Sequence, residues 1–528
     1  KLTNQPNQFN KLLTQVINGT EYFVFINPIN NRKNEFLAIL APTETVFSSG
    51  NKKVIISIAT TALVLLLMLP ISWLFSSPIV RPIRLLAREN NKIKNRHYEN
   101  VQKVPSNIIE IDELATSLTE MSDAIQQHEK DQIALMDSFI QLIAQTIDDK
   151  SPYTGNHCKR VPDLGLMLAQ AAAESTKDNF KHFSFKSKEE LREFKTAAWL
   201  HDCGKIITPE HIVDKGTKLE TIYNRIHEIR MRFEVLWRDA EIHYYQQLLS
   251  TPDSTPEQKE ELNALLIKQQ KKLTADFTFI ASTNVGGEFM SDDKVDKLQQ
   301  LAKITWQRHF DDTIGLSPVE ELNLKAASKT LPTTEYLLTD KPEHIIAWHK
   351  VPNFDEKLGI KMPVPEHQYN LGELYNLSVA RGTLTAEDRY KINEHIIGTI
   401  KMLDQLPFPP ELANVPRYAS THHETLIGTG YPRKLTAEQL SIPERVLVLA
   451  DIFEALTAAD RSYKKAKSLS VSINILHKFA LDEHIDIDLF ELFLTSGVYL
   501  QYAKKHMTSE NIDHVDITQY LRKVPSST

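Results

Sequence analysis

Hydrophobic and polar positions divide the chain into one long apolar segment, several amphipathic helices and a short alternating stretch. Residues 54–75 read VIISIATTALVLLLMLPISWLF and contain no charged side chain. This length is sufficient to cross the hydrocarbon core of a membrane as a helix. Soluble helices this long almost always carry a polar stripe, which is missing here. The pattern therefore favours a membrane span over a buried core helix.

Basic residues flank this segment unevenly. Two lysines precede it, and the basic residues that follow it are Arg81, Arg84, Arg88, Lys92, Lys94 and Arg96. The excess predicts a cytoplasmic C-terminal side and places residues 1–52 outside. Residues 21–47 alternate enough to predict two strands, and they resemble the last strands of a Cache-type sensor domain. Because 52 residues are too few for such a domain and the sequence starts at Lys1, we expect an earlier membrane helix and most of the sensor to precede it.

Residues 76–127 predict two short helices joined by a loop. Pro82 opens the first helical pattern, the loop lies around Tyr98 to Ser106, and EIDELATSLTEMSDAI forms the second helix. This arrangement after a membrane span resembles a HAMP linker, which implies a parallel homodimer; a plain juxtamembrane helix pair is the alternative. The helical pattern continues through residues 128–150, which we interpret as a signalling helix.

A second helical region lies between Lys218 and Leu273. Lys218 to Leu249 predicts one long helix, with apolar residues at steps of three and four: Leu219, Ile222, Ile226, Ile229, Phe233 and Leu236. A further helix near Pro256 to Leu273 completes a helical hairpin. The seam is too short for a free coiled coil, so packing on the partner helix or the main domain is expected.

Composition narrows the class of function. A chain of 528 residues is too long for one core, so several domains are expected. The formal net charge of -7 argues against a nucleic-acid polymer as partner, although a small anionic ligand needs only a local positive site. Cys158 and Cys203 form no CxxC pair, which fits a reducing compartment and excludes a disulfide framework or a zinc ribbon.

Five polar segments carry the candidate chemistry. They are YTGNHCKRV (153–161), AAWLHDCGK (197–205), KINEHIIGT (391–399), HHETLIGTGYP (422–432) and VLVLADIFEALTAADRSYKK (446–465). His201 and Asp202 follow an apolar helical run, and adjacent side chains at a helix end can straddle a metal pair; His422 and His423 repeat this device. Asp451 ends the run VLVLA, where an unpaired buried carboxylate would be costly and a metal would satisfy it. Imidazole with carboxylate suits iron, manganese, nickel or zinc.

Each segment alone is weak evidence. A lone histidine is more often a surface or core residue than a ligand, and GTGYP alone could be a simple turn. The joint occurrence in this order resembles the HD-GYP branch of the HD phosphohydrolase superfamily, over residues 135–213 and 372–510. The resemblance implies that the metal ligands are His157, His201, Asp202, His395, His422, His423 and Asp451.

The resemblance also implies roles around the metals. Asp202 and Lys205 match catalytic positions, and Lys205 would contact the substrate phosphate. Tyr431 belongs to the GYP loop with Gly428, Gly430 and Pro432 and is a candidate substrate contact. Three further basic residues are candidates for phosphate contact, with ordinary ion pairing weighed equally: Arg160, Arg461 and Lys464.

Three departures from the family pattern matter. Tyr153 stands where some members have a glutamate that bridges a third metal, so we predict two divalent ions, with iron, manganese or nickel ahead of zinc or magnesium. Ile427 replaces the usual aspartate before the GYP loop, which puts the loop geometry in doubt. Residues 214–371 are predicted to be a helical insertion in a surface loop, with surface histidines at His227, His243, His309, His344 and His349.

These expectations combine into a mostly α, membrane-anchored, multidomain protein with an all-helical catalytic bundle and a small α/β or β extracytoplasmic remnant. The predicted parts are a partial sensor (1–52), a membrane helix (53–75), a HAMP linker (76–127), a signalling helix (128–150), an HD-GYP domain (135–213 and 372–510) with its insertion (214–371), and a tail (511–528). The predicted location is the bacterial inner membrane, with the catalytic domain in the cytoplasm and residues 1–52 periplasmic or extracellular.

The resemblance implies metal-dependent hydrolysis of cyclic di-GMP to pGpG, GMP or both, under control of a membrane sensor. The residues themselves do not specify guanine. Three alternatives stay open: a silent cyclic-dinucleotide-binding module, a general HD nucleotide phosphohydrolase, and a membrane sensor with an inert C-terminus. A silent binding module and a sensor with an inert C-terminus would each be expected to lose a ligand, whereas this chain keeps the full set. General HD nucleotidases lack the HHE…GYP element, which this chain has.

Overall fold

The computed structural model describes residues 8–29, 35–150, 156–287, 289–324, 330–458 and 466–522. The chain divides into two compact units, Lys1–Ala134 and Leu135–Thr528. The molecule is mostly helical, and its small sheets are confined to short antiparallel pairs and one three-stranded meander.

The first unit begins with a three-stranded antiparallel sheet in the order β1 (Leu12–Ile17), β2 (Thr20–Pro28) and β3 (Phe36–Pro42). The sequence pattern predicted only the last two strands. The missed signal is Asn18–Gly19, whose positive φ angles of 50° and 82° suit the two-residue turn between β1 and β2.

Helix α1 (Thr43–Lys94) contains the whole predicted membrane segment. Within the described residues it is the one helix that is long and apolar enough to cross a membrane. Pro82 lies inside α1, whereas the sequence predicted that a new helix opens there. A proline removes only one main-chain hydrogen bond, and the residues on both sides of Pro82 continue the helix.

Helix α2 (Ile109–Lys150) follows a loop and is a single 42-residue helix that includes both the predicted second linker helix and the signalling helix. Leu86 of α1 packs with Val104 of the loop and with Ile111 and Ala115 of α2 in a small core. The helix–loop–helix arrangement of residues 76–127 is thus present, while its assignment as a HAMP linker stays a prediction.

The second unit is a helical bundle with a long excursion between two of its helices. Its helices are α3 (His157–Glu174), α4 (Lys188–Leu200), α5 (Glu210–Val213), α6 (Ile226–Ser250), α7 (Pro256–Val285), α8 (Asp292–Ala302), α9 (Pro318–Asn323), α10 (Glu373–Leu377), α11 (Ala386–Leu403), α12 (Val415–Ala419), α13 (Ile442–Thr457), α14 (Leu469–Leu481), α15 (Ile487–Thr495) and α16 (Val498–His506). Two short antiparallel pairs accompany them: β4 (Thr305–Arg308) with β5 (Thr333–Tyr336), and β6 (Ile345–Ile346) with β7 (Tyr369–Asn370).

Helix α13 forms the centre of the main core. Its run VLVLA is apolar on all sides, which is typical of a helix surrounded by others, and Val446, Leu449 and Phe453 are fully buried. These side chains belong to one cluster with Leu164 of α3 and Phe493 of α15. The packing fixes α13 against α3, the two helices that carry Asp451 and His157.

Residues between α5 and α10 form a second core around the predicted hairpin. Helix α6 begins at Ile226 and not at Lys218, and Ile222, predicted on the seam, is 90% exposed. In place of the predicted first turns, Lys218 is buried and its Nζ donates to the carbonyls of Leu377 and Val379, at 2.8 Å each.

The hairpin itself is present, because α6 and α7 pack together through Phe233 and Phe277, whose rings lie 5.4 Å apart. Helix α7 extends to Val285, past the predicted end near Leu273. Of the five histidines predicted at the surface of this region, four are exposed, whereas His344 is half-buried.

Candidate metal centre

The second unit brings all seven predicted ligand residues into one buried centre. Five helices supply them, mostly at their ends. His157 is the first residue of α3, His201 and Asp202 directly follow α4, His395 lies in α11, His422 and His423 follow α12, and Asp451 lies in α13.

One half of the centre consists of His157, His201 and Asp451, whose ligand atoms all lie within 4.8 Å of one another. Nε2 of His157 lies 3.2 Å from Nε2 of His201 and 3.4 Å from Oδ1 of Asp451. Oδ2 of Asp202 lies 3.2 Å from the same nitrogen of His157 and 3.4 Å from that of His201. This half therefore offers two imidazoles and two carboxylates.

The other half consists of His395, His422 and His423, whose ligand nitrogens also lie within 4.8 Å of one another. The second oxygen of Asp202, Oδ1, lies 3.4 Å from Nε2 of His395 and 3.8 Å from Nε2 of His422. Asp202 thus faces one half with each carboxylate oxygen.

Main-chain hydrogen bonds orient three of the imidazoles in the same way. Nδ1 of His201, His395 and His422 each donates to the carbonyl three residues earlier, at 2.8, 2.6 and 2.9 Å. This tautomer leaves the Nε2 lone pair directed at the centre. A hydrogen bond from the other ring nitrogen commonly orients a metal-binding histidine in this way.

Buried polar atoms at the centre fit a cation. Oδ1 of Asp202, Nε2 of His395 and Nε2 of His422 are buried without a hydrogen-bond partner among the described residues. An unsatisfied buried polar atom costs about 1–3 kcal/mol, so three such atoms facing one another need a common partner. A divalent metal accepts lone pairs from imidazole and carboxylate together.

The protonation states of the side chains at the centre partly match those that metal ligands need. Burial lowers the pKa of His422 to about 3 and the pKa of His423 well below its ordinary value, so both imidazoles are neutral. Burial opposes ionisation of Asp202, but Lys205 and the nearby imidazoles outweigh it and hold its pKa well below the usual range. Burial also disfavours the charged form of His201, but Asp202 raises its pKa to about 9. Metal binding must therefore displace a proton from His201.

Lys205 places a positive charge beside the centre. Its Nζ lies 2.5 Å from Oδ2 of Asp202, and its side chain is 27% exposed. Burial alone would lower the pKa of Lys205, but Asp202 raises it above the ordinary value, so the ammonium group stays charged. This position suits contact with an anionic group that approaches the metals.

The turn that carries His201 and Asp202 is locked onto α11. The Gly204 amide donates to Oγ1 of Thr399 at 3.0 Å, and that hydroxyl donates to the carbonyl of His201 at 3.2 Å. A Cβ atom on Gly204 would lie 1.8 Å from the carbonyl oxygen of His395. Only glycine allows this close approach, which sets the distance between Asp202 and His395.

The loop after His423 is closed by its own hydrogen bonds. The Glu424 carboxylate accepts from the amides of Arg433 and Leu435 at 2.7 and 2.9 Å. The Tyr431 ring stacks on His423 with centroids 4.7 Å apart. Ile427, which replaces the usual aspartate and put the loop geometry in doubt, is exposed and pairs with Thr436 in an isolated bridge, so this loop forms without the aspartate.

The sequence interpretation missed Glu454. Its carboxylate is almost fully buried, with Oε2 2.5 Å from Nδ1 of His157 and Oε1 2.6 Å from Nε of Arg160. The available signal was its spacing, since residues three apart on a helix share a face and Glu454 follows Asp451 by three. Arg160 therefore makes an ion pair, one of the two roles predicted for it. Arg461, Lys464 and Tyr153 lie outside the described residues.

Replacing Glu454 with alanine is expected to weaken metal binding by about 10- to 100-fold, the range typical of partners that orient a ligand histidine. The His157 ring would lose the acceptor at Nδ1 that fixes its tautomer. The measurement is titration of the purified protein with Mn²⁺, followed by calorimetry. Glu454→Gln, which keeps an acceptor oxygen, should retain more affinity than Glu454→Ala, and the exposed Glu438→Ala should match the wild type. Equal Mn²⁺ affinities for the alanine variants at 454 and 438 would show that Glu454 does not orient the ligand His157.

Comparison with known proteins finds similarity over part of the chain. A family model described as an HD domain matches residues 332–489. This range starts inside the predicted insertion; it includes His395, His422, His423 and Asp451, but not the turn with His201 and Asp202.

The chain is 36% identical over 80 residues to a 3'3'-cGAMP-specific phosphodiesterase of Vibrio cholerae, covering 15% of the chain and 18% of the relative. It is 35% identical over 79 residues to a cyclic di-GMP phosphodiesterase of Pseudomonas aeruginosa, covering 15% and 18%. It is 39% identical over 83 residues to a cyclic di-GMP phosphodiesterase of Vibrio cholerae, covering 16% of each. The chain thus spans less than a fifth of the length of each of these curated relatives. Residues 332–489 therefore carry an HD domain, in a chain that is similar over part of its length to cyclic-dinucleotide phosphodiesterases.

Proposed function

We propose that the second unit is a metal-dependent phosphodiesterase that hydrolyses a cyclic dinucleotide, with cyclic di-GMP as the first candidate and a mixed guanine–adenine dinucleotide as the second. The observation that supports this most directly is the position of Asp202, with one oxygen toward each histidine group. The relatives that share sequence with the chain are named for these two substrates.

In this proposal, His157, His201 and Asp451 would hold one divalent cation, and His395, His422 and His423 would hold a second. Asp202 would be available to both groups, because each of its oxygens faces one of them. When bound, such a pair of cations lowers the pKa of water and neutralises charge on a phosphodiester. Iron, manganese and nickel suit the mixture of imidazole and carboxylate better than magnesium, which prefers oxygen ligands.

The chain's own residues supply the remaining parts. Lys205 is held near the centre by Asp202 and offers its exposed end to a non-bridging phosphate oxygen, where it stabilises the charge that develops during hydrolysis. Tyr431 covers one side of the second half by stacking on His423, which shields that imidazole from bulk water. The thiols of Cys158 and Cys203 are no nucleophiles here, because burial raises the pKa of Cys203 to about 12 and holds that of Cys158 well above its ordinary value.

We further propose that the enzyme is anchored in a bacterial inner membrane by α1, with residues 1–52 outside and the second unit in the cytoplasm. The support is the length and apolar surface of α1 and the excess of basic residues after it. A parallel homodimer through the HAMP-like segment and α2 is supported by Leu135, Phe139 and Leu142 of α2, which are each more than half exposed at steps of four and three.

The function is tested with the full-length protein, purified without oxygen in detergent and analysed for bound metal. Incubation with cyclic di-GMP is expected to yield pGpG, GMP or both, identified by mass spectrometry, and a parallel reaction with 3'3'-cGAMP ranks the two substrates. Protein stripped of metal by a chelator should be inactive, and Mn²⁺ should restore it. Metal-loaded protein that binds cyclic di-GMP but leaves it and 3'3'-cGAMP intact would instead make the domain a binding module.

A further inference from the structure

The C-terminal end of α2 packs with the residues that directly follow two predicted ligands, His157 and Asp202. Ile147 and Ala144 of α2 are buried in one cluster with Cys158 and Cys203. Cys158 is the residue after His157, and Cys203 is the residue after Asp202. The C-terminal end of α2 therefore shares one hydrophobic cluster with the backbone segments that carry these two ligands.

Lys150, the last residue of α2, fastens this turn to the segment after Asp202. Its Nζ donates to the carbonyls of Lys205, Ile206 and Thr208 at 3.1, 2.6 and 2.7 Å. An ammonium group has three donors, and of the three carbonyls that of Lys205 also accepts from the Thr208 amide at 3.1 Å. The three bonds therefore use all the donors of Lys150 on one short segment, Cys203–Ile207 and its end.

Asp148 fastens the same turn to α3. Its Oδ1 accepts from the amide of Cys158 at 3.2 Å, and the carboxylate is buried. A carboxylate at the first turn of a helix receives amides that have no helical partner and is favoured by the helix dipole. The bond fixes the start of α3, where His157 lies, relative to α2.

The segment after Asp202 is held from its other side by α11, through the bonds of Thr399 to Gly204 and His201. The segment after Asp202 is therefore bonded both to Lys150 of α2 and to Thr399 of α11. A shift or rotation of α2 changes the position of this segment and of the start of α3 together, and with it the spacing between Nε2 of His157 and Oδ2 of Asp202, now 3.2 Å.

We propose that Lys150 and Asp148 are positioning residues through which α2 sets the geometry, and hence the activity, of the metal centre. The inference rests on the proposed function and names its regulatory input: the C-terminal turn of the 42-residue helix α2. Neither residue reaches substrate in this proposal, because Lys150 acts through the main chain of residues 205–208 and Asp148 through the amide of Cys158.

The test uses the full-length protein and two readouts, affinity for Mn²⁺ alone and the kinetics of cyclic di-GMP hydrolysis. Lys150→Ala is expected to weaken Mn²⁺ binding by about 10-fold or more and to lower kcat in proportion, while KM changes less than about threefold because no substrate contact is lost. Lys150→Arg, which keeps several donors, should recover most of both. The matched control is Lys130→Ala, an exposed lysine of the same helix, which should behave as the wild type.

Asp148 gives an independent arm. Asp148→Asn keeps an acceptor oxygen and should stay within about threefold of the wild type in Mn²⁺ affinity, whereas Asp148→Ala should lose about 10-fold. If Lys150→Ala folds normally by circular dichroism and equals Lys130→Ala in both readouts, the proposal is overturned. If Lys150→Ala does not fold, equal Mn²⁺ affinities for the two Asp148 variants overturn it. Failure of the proposed function is separate, since the wild type would then bind Mn²⁺ without hydrolysing cyclic di-GMP.

Discussion

Asp202→Asn is expected to lower kcat for cyclic di-GMP by at least about 1,000-fold, the scale seen when one preorganised electrostatic group is removed from an active site. The two oxygens of Asp202 lie within 3.2–3.8 Å of the Nε2 atoms of His157, His201, His395 and His422. An asparagine fills the same volume, but it lacks the negative charge and can turn one face of the group into a donor. One substitution therefore impairs both halves of the centre, and metal analysis should show that the bound metal falls together with turnover.

The loss must be separated from unfolding, because Asp202→Asn also leaves the ammonium group of Lys205 without its carboxylate partner. Circular dichroism and the thermal midpoint serve this purpose. Asp163→Asn is the matched control, since Asp163 lies on α3 and pairs at the surface with Lys505, away from the ligands. A folded Asp202→Asn protein with wild-type metal content and kcat within tenfold of the wild type would refute the shared role of this carboxylate.

Gly204→Ala is expected to lower the free energy of unfolding by about 3 kcal/mol, near the upper end for an added methyl group in a packed interior, and to abolish most turnover. The new Cβ would lie 1.8 Å from the His395 carbonyl oxygen and 2.4 Å from the Thr399 amide nitrogen. Both are main-chain atoms, so relief requires that the turn with Asp202 moves away from α11. That movement pulls Asp202 away from His395 and His422.

Denaturant unfolding, metal content and kcat measured on the same preparation test this expectation. Gly287→Ala is the control, because its Cβ would have no heavy atom within 4 Å. If Gly204→Ala retains wild-type stability and activity, the close approach between the turn and α11 does not set the geometry of the centre.

The order of five short segments was sufficient to name the residues that the fold brings together. Local patterns also indicated several of the helices, because the apolar run before Asp451 and the amphipathic stretch around His395 determine which faces are buried. The convergence itself was not visible in any single segment. It depends on contacts between Gly204 and α11, or between His157 and Glu454, that join residues remote in sequence.

The errors have the same origin. Helix α6 starts later than its pattern predicts, and Lys218 instead bonds to carbonyls of residues 377 and 379, which no local window contains. Glu454 was missed because the family motif names no ligand at this position, whereas its helical spacing from Asp451 indicates a shared face. The strand β1 was missed for the opposite reason, since the local Asn18–Gly19 turn signal was present and was not used.

The position of Asp202 between two histidine groups has a consequence for how the protein is made. During synthesis, His157, His201 and Asp202 leave the ribosome long before His395, His422 and His423, because the region with α6 and α7 comes between them. The nascent chain therefore first exposes three of the seven residues of the centre, and Asp202 has no second histidine group beside it until α11 and residues 422–423 have been translated. In the proposed function, cation binding would thus be a late event in biogenesis, because Asp451 is translated after the second histidine group.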